Sequence, residues 1–171
     1  MSSFTQTSKE FPFLQQLENG WRDIREEALK SHQYSVPYLE TDLYSGEWDV
    51  LPLITFGRQH YVNTQMCPKT WDLVKDIPGL QTASFSILRY QTEITPHTGF
   101  TDEVLRAHLA LKIPKENCGL RIENQEVKWV EGEAFVFNDR NLHSVFNLSS
   151  ESRIILIIDF LKDANSSERS L

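Results

Sequence analysis

The segment Val104-Leu-Arg-Ala-His-Leu-Ala-Leu-Lys-Ile113 carries the clearest alternation of apolar and polar residues in the chain. Successive side chains of a β-strand point to opposite faces, so one face is wholly apolar and consists of Leu105, Ala107, Leu109, Leu111 and Ile113. The opposite face places Arg106 and His108 side by side. Either this face is open to water, or it lines a cavity where a guanidinium and an imidazole bind one carboxylate. The alternation does not decide between these interpretations.

A second segment, Arg153-Ile-Ile-Leu-Ile-Ile-Asp-Phe160, is apolar on both faces. This pattern is typical of a central strand that is covered on both sides. Arg153 lies at its start, where a guanidinium is either solvated at the sheet edge or paired with an acidic ligand or partner. The strand pattern leaves both alternatives open.

The remaining periodicities predict helices first and strands afterwards. Apolar residues at helical spacing predict a helix from Phe11 to about His32, which Gly20 could divide in two. A second helix is predicted over Pro68–Ile77. The other predicted strands are Leu51–Phe56, Thr82–Thr95, Gly119–Glu123, Val127–Val130, Ala134–Asn138 and Leu142–Asn147. This order predicts an α+β fold, mainly β, whose strands form a sandwich or jelly roll.

Length and charge limit the classes of protein that remain. The 171 residues predict a single domain, with a helical part at about 8–35 and a β-core at about 50–162. The net charge of −7 argues against nucleic-acid and membrane partners, since both attract basic surfaces. The longest apolar run is Ile154–Ile158 and no signal segment is evident, so we expect a cytoplasmic protein. Cys67 and Cys118 form neither a CxxC pair nor a disulfide framework.

Two of the five histidines lie at the ends of predicted strands. His97 follows Pro96, and His143 begins a strand. Two imidazoles that meet across a β-sandwich could bind Fe, Zn, Cu or Ni. Their spacing alone fixes no geometry, because it matches no HxxxH or HExxH motif. His32 and His60 are predicted to be structural or surface residues.

Polar positions recur in a distinctive order between Ser86 and Asp159. The motifs are Ser86, Pro96-His97-Thr98-Gly99, Arg106-Ala107-His108-Leu109, Ile113-Pro114-Lys115-Glu116, Cys118, Trp129-x-Glu131-Gly132, Phe137-x-Asp139, His143, Arg153 and Asp159. In order and approximate spacing they resemble the aspartyl/asparaginyl β-hydroxylase family of 2-oxoglutarate oxygenases. The less specific segments Phe11–Trp21 and Pro78-Gly79-Leu80 extend the resemblance over most of the chain.

The resemblance implies a double-stranded β-helix, a jelly-roll barrel, and an Fe(II)- and 2-oxoglutarate-dependent dioxygenase that uses O2. His97 and His143 match the two iron-binding histidines and would be the catalytic metal ligands. Many iron oxygenases carry a carboxylate two residues after the first histidine, where this chain has Gly99. Water or chloride could take the open position, and the latter would suit a halogenase. The family shares the glycine and hydroxylates its substrates, which favours a hydroxylase.

The resemblance also implies which residues bind the cosubstrate. Arg153 matches the arginine that pairs with the distal carboxylate of 2-oxoglutarate, helped by the Ser86 hydroxyl. Arg106 and His108 match the pair that contacts the carboxylate next to the keto group. Asp139 either orients a histidine ligand or is a simple turn residue. A jelly-roll module that binds a carboxylate without catalysis remains an alternative, although such a module has no need of the histidine pair.

Two departures from the family bear on the substrate. Members that act on EGF-like domains carry an additional arginine where this chain has Val104, and proline where it has Phe100. The tetratricopeptide and transmembrane portions of the animal enzymes are also missing, which argues against an EGF-domain substrate. We expect hydroxylation of an unactivated C–H, at the β-carbon, of an amino acid, aminoacyl group or peptide. A carrier-tethered group or natural-product scaffold also fits, and the oligomeric state is not predicted.

Overall fold

The computed structural model describes residues 4–165. Its α-helices are α1 (Phe13–Asn19), α2 (Trp21–Ser31), α3 (Tyr61–Met66) and α4 (Pro68–Val74), with 3-10 turns at His32–Tyr34, Thr41–Leu43 and Asp163–Asn165. Its strands are β1 (Val36–Pro37), β2 (Tyr44–Ser45), β3 (Trp48–Thr55), β4 (Arg58–Gln59), β5 (Leu80–Leu88), β6 (Thr92–His97), β7 (Val104–Lys112), β8 (Cys118–Ile122), β9 (Gln125–Val127), β10 (Ala134–Phe137), β11 (His143–Asn147) and β12 (Arg153–Leu161). Both ends of the predicted 1–171 domain lie outside the described residues, so its extent stays a prediction.

The strands form two antiparallel sheets that face each other. The major sheet has the order β1-β3-β5-β12-β7-β10, with β4 beside β3, and the minor sheet has the order β2-β6-β11-β8-β9. From β5 to β12 the chain passes repeatedly from one sheet to the other. This alternation is the connectivity of a jelly roll, so the predicted α+β, mainly β fold is confirmed.

The strand that is apolar on both faces lies at the centre of the major sheet, as predicted. β12 pairs with β5 on one side and β7 on the other. Ile154, Leu156 and Ile158 pack towards the helices, whereas Ile155 packs between the sheets. One strand therefore contributes to two apolar cores, and this accounts for its unbroken hydrophobic run.

The helices cover the outer face of the major sheet. The predicted helix Phe11–His32 is divided at Gly20 into α1 and α2, whose buried residues include Leu14, Leu17 and Ile24. These side chains join one apolar core with the apolar face of β7. The longest helix has 11 residues, and none in residues 4–165 has both the length and the apolar character to cross a bilayer.

Two predicted strands are wrong. The predicted strand Val127–Val130 shares only Val127 with β9, because the turn after β8 lies at Glu123-Asn124 and the strand begins directly after it. Thr82–Thr95 is two strands, β5 in the major sheet and β6 in the minor sheet, with a turn between them in which Gln91 has a φ of +54°. The turn contains neither glycine nor proline, so its sequence carries no signal that would divide the predicted strand. The predicted helix Pro68–Ile77 is α4, which ends at Val74, and α3 precedes it.

Candidate active site

A cavity between the two sheets brings together all six residues that the sequence nominated. The side chains that line it are Trp48, Ser86, Ile94, His97, Arg106, His108, Leu120, Phe137, His143, Val145, Arg153 and Ile157. Arg106 and His108 therefore lie on a cavity wall, and the apolar face of β7 packs against the helices. Of the two interpretations of that strand, the lined cavity is the one the structure contains.

His97 and His143 lie on neighbouring strands of the minor sheet. They are direct register partners between β6 and β11, and their ring centroids are 4.3 Å apart. The Nδ1 atom of His97 lies 2.7 Å from the carbonyl oxygen of Thr95, and Nδ1 of His143 lies 2.8 Å from that of Asn141. A carbonyl oxygen only accepts hydrogen bonds, so we assign the ring proton to Nδ1 in both residues. Each Nε2 is then left with a free lone pair, which is the atom a metal needs.

Burial keeps one of these rings neutral. His143 is buried, and this burial lowers its pKa, although its bond to Asn141 and the nearby Asp139 carboxylate act in the opposite direction. Only a neutral imidazole can bind a metal, because protonation removes the lone pair. The environment of His143 therefore favours the ligand form near neutral pH.

Gly99 stands where many iron oxygenases have a carboxylate ligand, and its neighbour in space is Asp139. A Cβ atom on Gly99 would collide with the carboxylate of Asp139, and the Gly99 amide donates a hydrogen bond of 2.7 Å to the Asp139 carbonyl. The same carboxylate has one oxygen 3.3 Å from Nε2 of His143. Within residues 4–165 no group of three His, Cys, Asp or Glu side chains forms a complete metal site. The donor set therefore fits a metal held by two imidazoles with a carboxylate close by.

Arg153 is a buried cation at the other side of the cavity. Arg153 is only 1% exposed. Its Nη2 donates to the Ser86 hydroxyl oxygen at 2.8 Å, and its guanidinium lies 5.0 Å from the Trp129 ring centre. No carboxylate of residues 4–165 pairs with it, and its Nε has no hydrogen-bond partner there. Burial lowers its pKa to about 10. An unpaired buried charge costs several kcal/mol, so this environment calls for an anionic ligand.

Ser86 can contribute a second donor to such an anion. Its oxygen already accepts from Arg153 and from Nε1 of Trp48, at 2.9 Å. With both donors directed at its oxygen, its own hydroxyl hydrogen remains available to the cavity.

His108 has the opposite tautomer to the histidine pair. Its Nδ1 lies 3.2 Å from Nε1 of Trp129, and an indole nitrogen only donates. Nδ1 must therefore accept, and Nε2 carries the proton and can donate to a ligand. Burial, reinforced by Arg106 and Arg153, holds the pKa of His108 well below its usual range, so the ring stays neutral.

Arg106 is less free than the sequence suggested. Its Nε and Nη2 donate to the two carboxylate oxygens of Asp159 at 2.7 and 2.9 Å, and its Nη1 lies 2.8 Å from Asp139. Burial alone would lower its pKa, but these carboxylates outweigh it and raise the pKa. Three of its five N–H groups are thus engaged, and two remain for a ligand.

Sequence reasoning missed three aromatic residues of the site. Trp48 and Trp129 orient Ser86 and His108, and Tyr38 stacks on Trp48 with ring centroids 3.8 Å apart. Trp129 belonged to a recognised motif but carried no role. Tyr38 precedes the predicted β-core and lies in none of the predicted elements or motifs, so no sequence signal pointed to it.

Solved structures share this architecture. A Pseudomonas putida prolyl-4-hydroxylase has a TM-score of 0.60 at 18% identity, with 92% of this chain and 90% of that chain covered. An oxidoreductase of the 2OG-Fe(II) oxygenase family from Burkholderia pseudomallei has a TM-score of 0.58 at 11% identity, with 74% and 71% covered. At such identities the likeness shows the fold alone.

Relatives with higher identity are hydroxylases. The ornithine lipid ester-linked acyl 2-hydroxylase of Rhizobium tropici is 34% identical over 93% of this chain and 60% of its own length. The human aspartyl/asparaginyl beta-hydroxylase is 35% identical over 84% of this chain, which spans only 20% of that protein. The family model described as aspartyl/asparaginyl beta-hydroxylase matches residues 18–163. The chain therefore belongs to the aspartyl/asparaginyl beta-hydroxylase family.

Proposed function

We propose that this family member is an Fe(II)- and 2-oxoglutarate-dependent dioxygenase that hydroxylates an unactivated C–H bond. The observation that carries the proposal is the pairing of two unlike features across one cavity. Two imidazole lone pairs converge on the minor sheet, and the buried Arg153 guanidinium on the major sheet lacks an anionic partner within residues 4–165. A divalent cation and a dicarboxylate would satisfy both.

In this proposal each residue has a defined task. His97 and His143 would hold Fe(II) through Nε2. Arg153 and Ser86 would bind the distal carboxylate of 2-oxoglutarate. The remaining N–H groups of Arg106 and the Nε2–H of His108 would donate to the carboxylate beside the keto group. When bound, iron with 2-oxoglutarate and O2 supplies the oxidising power and leaves succinate and CO2 as co-products.

The protein contributes orientation and exclusion of water. Charge-assisted hydrogen bonds from Arg153 fix one end of the cosubstrate, so its reacting end faces the metal ligands. Apolar side chains from both sheets, including Leu120, Phe137 and Ile157, line the same cavity. Few waters can then compete for these donors, which strengthens their interaction with a carboxylate.

Asp139 supports hydroxylation over halogenation. Its carboxylate lies 3.3 Å from Nε2 of His143, the atom that would hold the metal. A negative charge there repels chloride, whereas a water molecule can donate a hydrogen bond to it. Supplying chloride should therefore give no chlorinated product by mass spectrometry.

The substrate is a proposal of its own. We propose a small molecule, aminoacyl group or peptide, hydroxylated at the β-carbon and used in natural-product biosynthesis, with no nucleic-acid or membrane partner and a cytoplasmic location. The names of the relatives place hydroxylation on an acyl group in one protein and on aspartyl or asparaginyl residues in another. This chain spans 60% and 20% of those two proteins, so neither substrate is assigned to it.

The test is spectroscopic and does not require the substrate. Anaerobic addition of Fe(II) and then 2-oxoglutarate to the purified protein should produce a weak visible charge-transfer band. Succinate replaces 2-oxoglutarate in the control and should give no band, because it lacks the keto oxygen. Admission of O2 should then yield succinate from 2-oxoglutarate. Absence of both band and succinate formation would overturn the proposal and favour a non-catalytic binding module.

A further inference from the structure

An aromatic side chain occupies a strained turn at one end of the major sheet. Strands β3 and β4 are joined by the two-residue turn Phe56-Gly57, whose φ values are +46° and +78°. Positive φ at both positions defines the type I′ hairpin turn, which strongly prefers Asn-Gly, Asp-Gly or Gly-Gly. A bulky residue in this region is an outlier whose backbone is strained. The other non-glycine residues with positive φ in residues 4–165 are Gln91, Asn117 and Glu123, and all of these are polar.

Burial does not compensate for this strain. Phe56 is 70% exposed, and its ring makes an edge contact with Phe100, which is 80% exposed, at a centroid distance of 6.0 Å. Two large apolar rings thus meet in water, outside both cores of the molecule. Strain that persists without a folding benefit is found mainly at functional sites.

A row of paired residues links Phe56 to Arg106, which lines the cavity. The Phe56 amide lies 3.3 Å from the Thr82 hydroxyl, Thr82 is the register partner of Asp159, and Asp159 is the register partner of Arg106. Register partners in an antiparallel sheet present their side chains on the same face. Phe56 therefore lies at the end of the row that carries Asp159 and Arg106.

Phe100 belongs to the segment that follows β6 of the minor sheet. It follows the metal-ligand candidate His97 by three residues, and so its Cα lies within about 11 Å of the His97 Cα. The intervening Gly99 is held by the hydrogen bond that its backbone N–H donates to the Asp139 carbonyl oxygen. The contact between the two rings thus joins the β3–β4 turn to the segment that follows His97.

We propose that Phe56 and Phe100 form an aromatic clamp that binds an alkyl or acyl chain of the substrate while the reacting carbon lies at the metal. The proposal rests on the proposed function and specifies its substrate class as an amphiphile with a polar head and a chain of several methylenes. Two side chains offer far less contact area than the roughly 800 Å² of surface that each partner buries in a typical protein–protein interface. The Asp102 carboxylate is paired with Lys162 at 2.6 Å, whereas the exposed Glu103 carboxylate would repel an anionic bilayer. The clamp therefore suits one chain of a small molecule.

The test compares chain lengths in clamp variants. The probes are N-acetyl-, N-butanoyl- and N-octanoylglycine, titrated anaerobically into protein loaded with Fe(II) and 2-oxoglutarate. Wild-type affinity should rise about twofold per methylene, roughly half of the fourfold expected for full burial, because the rings cover one side of the chain. Phe56→Asn and Phe100→Ser should abolish most of this rise and leave the acetyl probe unaffected.

Phe56→Asn provides an internal check because its two effects should have opposite signs. Asn-Gly suits the type I′ turn, so the melting temperature should stay equal or increase while binding of the octanoyl probe weakens. The control is Tyr90→Ser, which removes a ring with 62% exposure from the far end of β6, about 20 Å from His97. This variant should retain the wild-type dependence on chain length.

Two outcomes would overturn the clamp. One is an equal dependence on chain length in wild type and both phenylalanine variants. The other is loss of binding to phosphatidylcholine vesicles in the variants with unchanged probe affinities, which would assign the rings to a bilayer. The charge-transfer band is recorded in the same samples. A missing wild-type band with an intact chain-length effect would refute the proposed function and leave the clamp standing.

Discussion

The two sheets supply opposite chemistry to one cavity. The minor sheet presents His97 and His143 with lone pairs inward, which suits a cation. The major sheet presents Arg153 and His108 with hydrogens inward, which suits an anion. Histidine occurs on both sides, and its role depends on whether Nδ1 meets a carbonyl oxygen or an indole N–H. A histidine can therefore present either a lone pair or an N–H to the cavity, and the hydrogen-bond partner of its Nδ1 determines which one.

The largest expected effect comes from removing a lone pair on the minor sheet. His143→Ala should weaken Fe(II) or Co(II) binding by more than about a hundredfold, since residues that merely orient a ligand already contribute 10- to 100-fold. Turnover of 2-oxoglutarate should fall with it. His60→Ala removes an imidazole that lies 2.9 Å from the Thr55 hydroxyl and does not line the cavity, and it serves as the control. Wild-type metal affinity in folded His143→Ala protein would contradict the assignment of metal binding to the minor sheet.

Removal of the charge on the major sheet should affect the cosubstrate and spare the metal. Arg153→Met should raise the KM for 2-oxoglutarate roughly a hundredfold through loss of charged hydrogen bonds, with Co(II) affinity unchanged. The apo protein should melt at the same temperature or higher, because methionine relieves an unpaired buried charge. A markedly lower melting temperature would indicate a structural role for the guanidinium.

A smaller change should test the tautomer of His108 directly. Trp129→Phe keeps a ring beside Arg153 but removes the N–H that fixes Nδ1 as an acceptor. His108 can then present either tautomer, and the KM for 2-oxoglutarate should rise about fivefold, the value of one neutral hydrogen bond. Nitrogen NMR of His108 should show a shift from the Nε2–H form to a mixture. An unchanged spectrum would contradict the assignment.

The smallest effect is a loss of stability in acid. Burial lowers the pKa of His108 and of His143, so the unfolded chain binds more protons than the folded chain below the ordinary pKa of 6.5. The metal-free protein should lose roughly 1 kcal/mol of unfolding free energy per pH unit for each histidine as the pH falls below 6.5. Urea titrations at pH 7, 6 and 5 would measure this. His108→Gln should show about half the slope, and an unaltered slope would count against its neutral form.

Sequence patterns predicted the sheets better than the contacts between side chains. The alternation in β7 and the double-sided apolar run of β12 follow directly from burial, so both strands could be located. The turn between β5 and β6 could not, because it contains neither glycine nor proline to mark the boundary between the two strands. The six nominated site residues lie in one cavity because their motif order follows the strand order of the barrel.

Other features of the site depend on distances that no linear pattern contains. The tautomers of the histidines are set by Thr95, Asn141 and Trp129, and each contact requires a particular ring orientation. Asp159 belonged to the recognised motifs but had no predicted role. The sequence does not show that its carboxylate pairs with Arg106 on the neighbouring strand. The Phe56-Gly57 turn could have been suspected from its glycine, but its strain is visible only in φ.

The contact between Gly99 and Asp139 constrains how this site can evolve. A carboxylate at position 99 would collide with the one already contributed by Asp139, so gaining the first requires losing the second. Neither single step preserves a well-packed site, and the two positions must change together. Lineages with and without the third protein ligand are thus separated by a double substitution, and intermediates with both acids or neither are the sequences we expect to be rare.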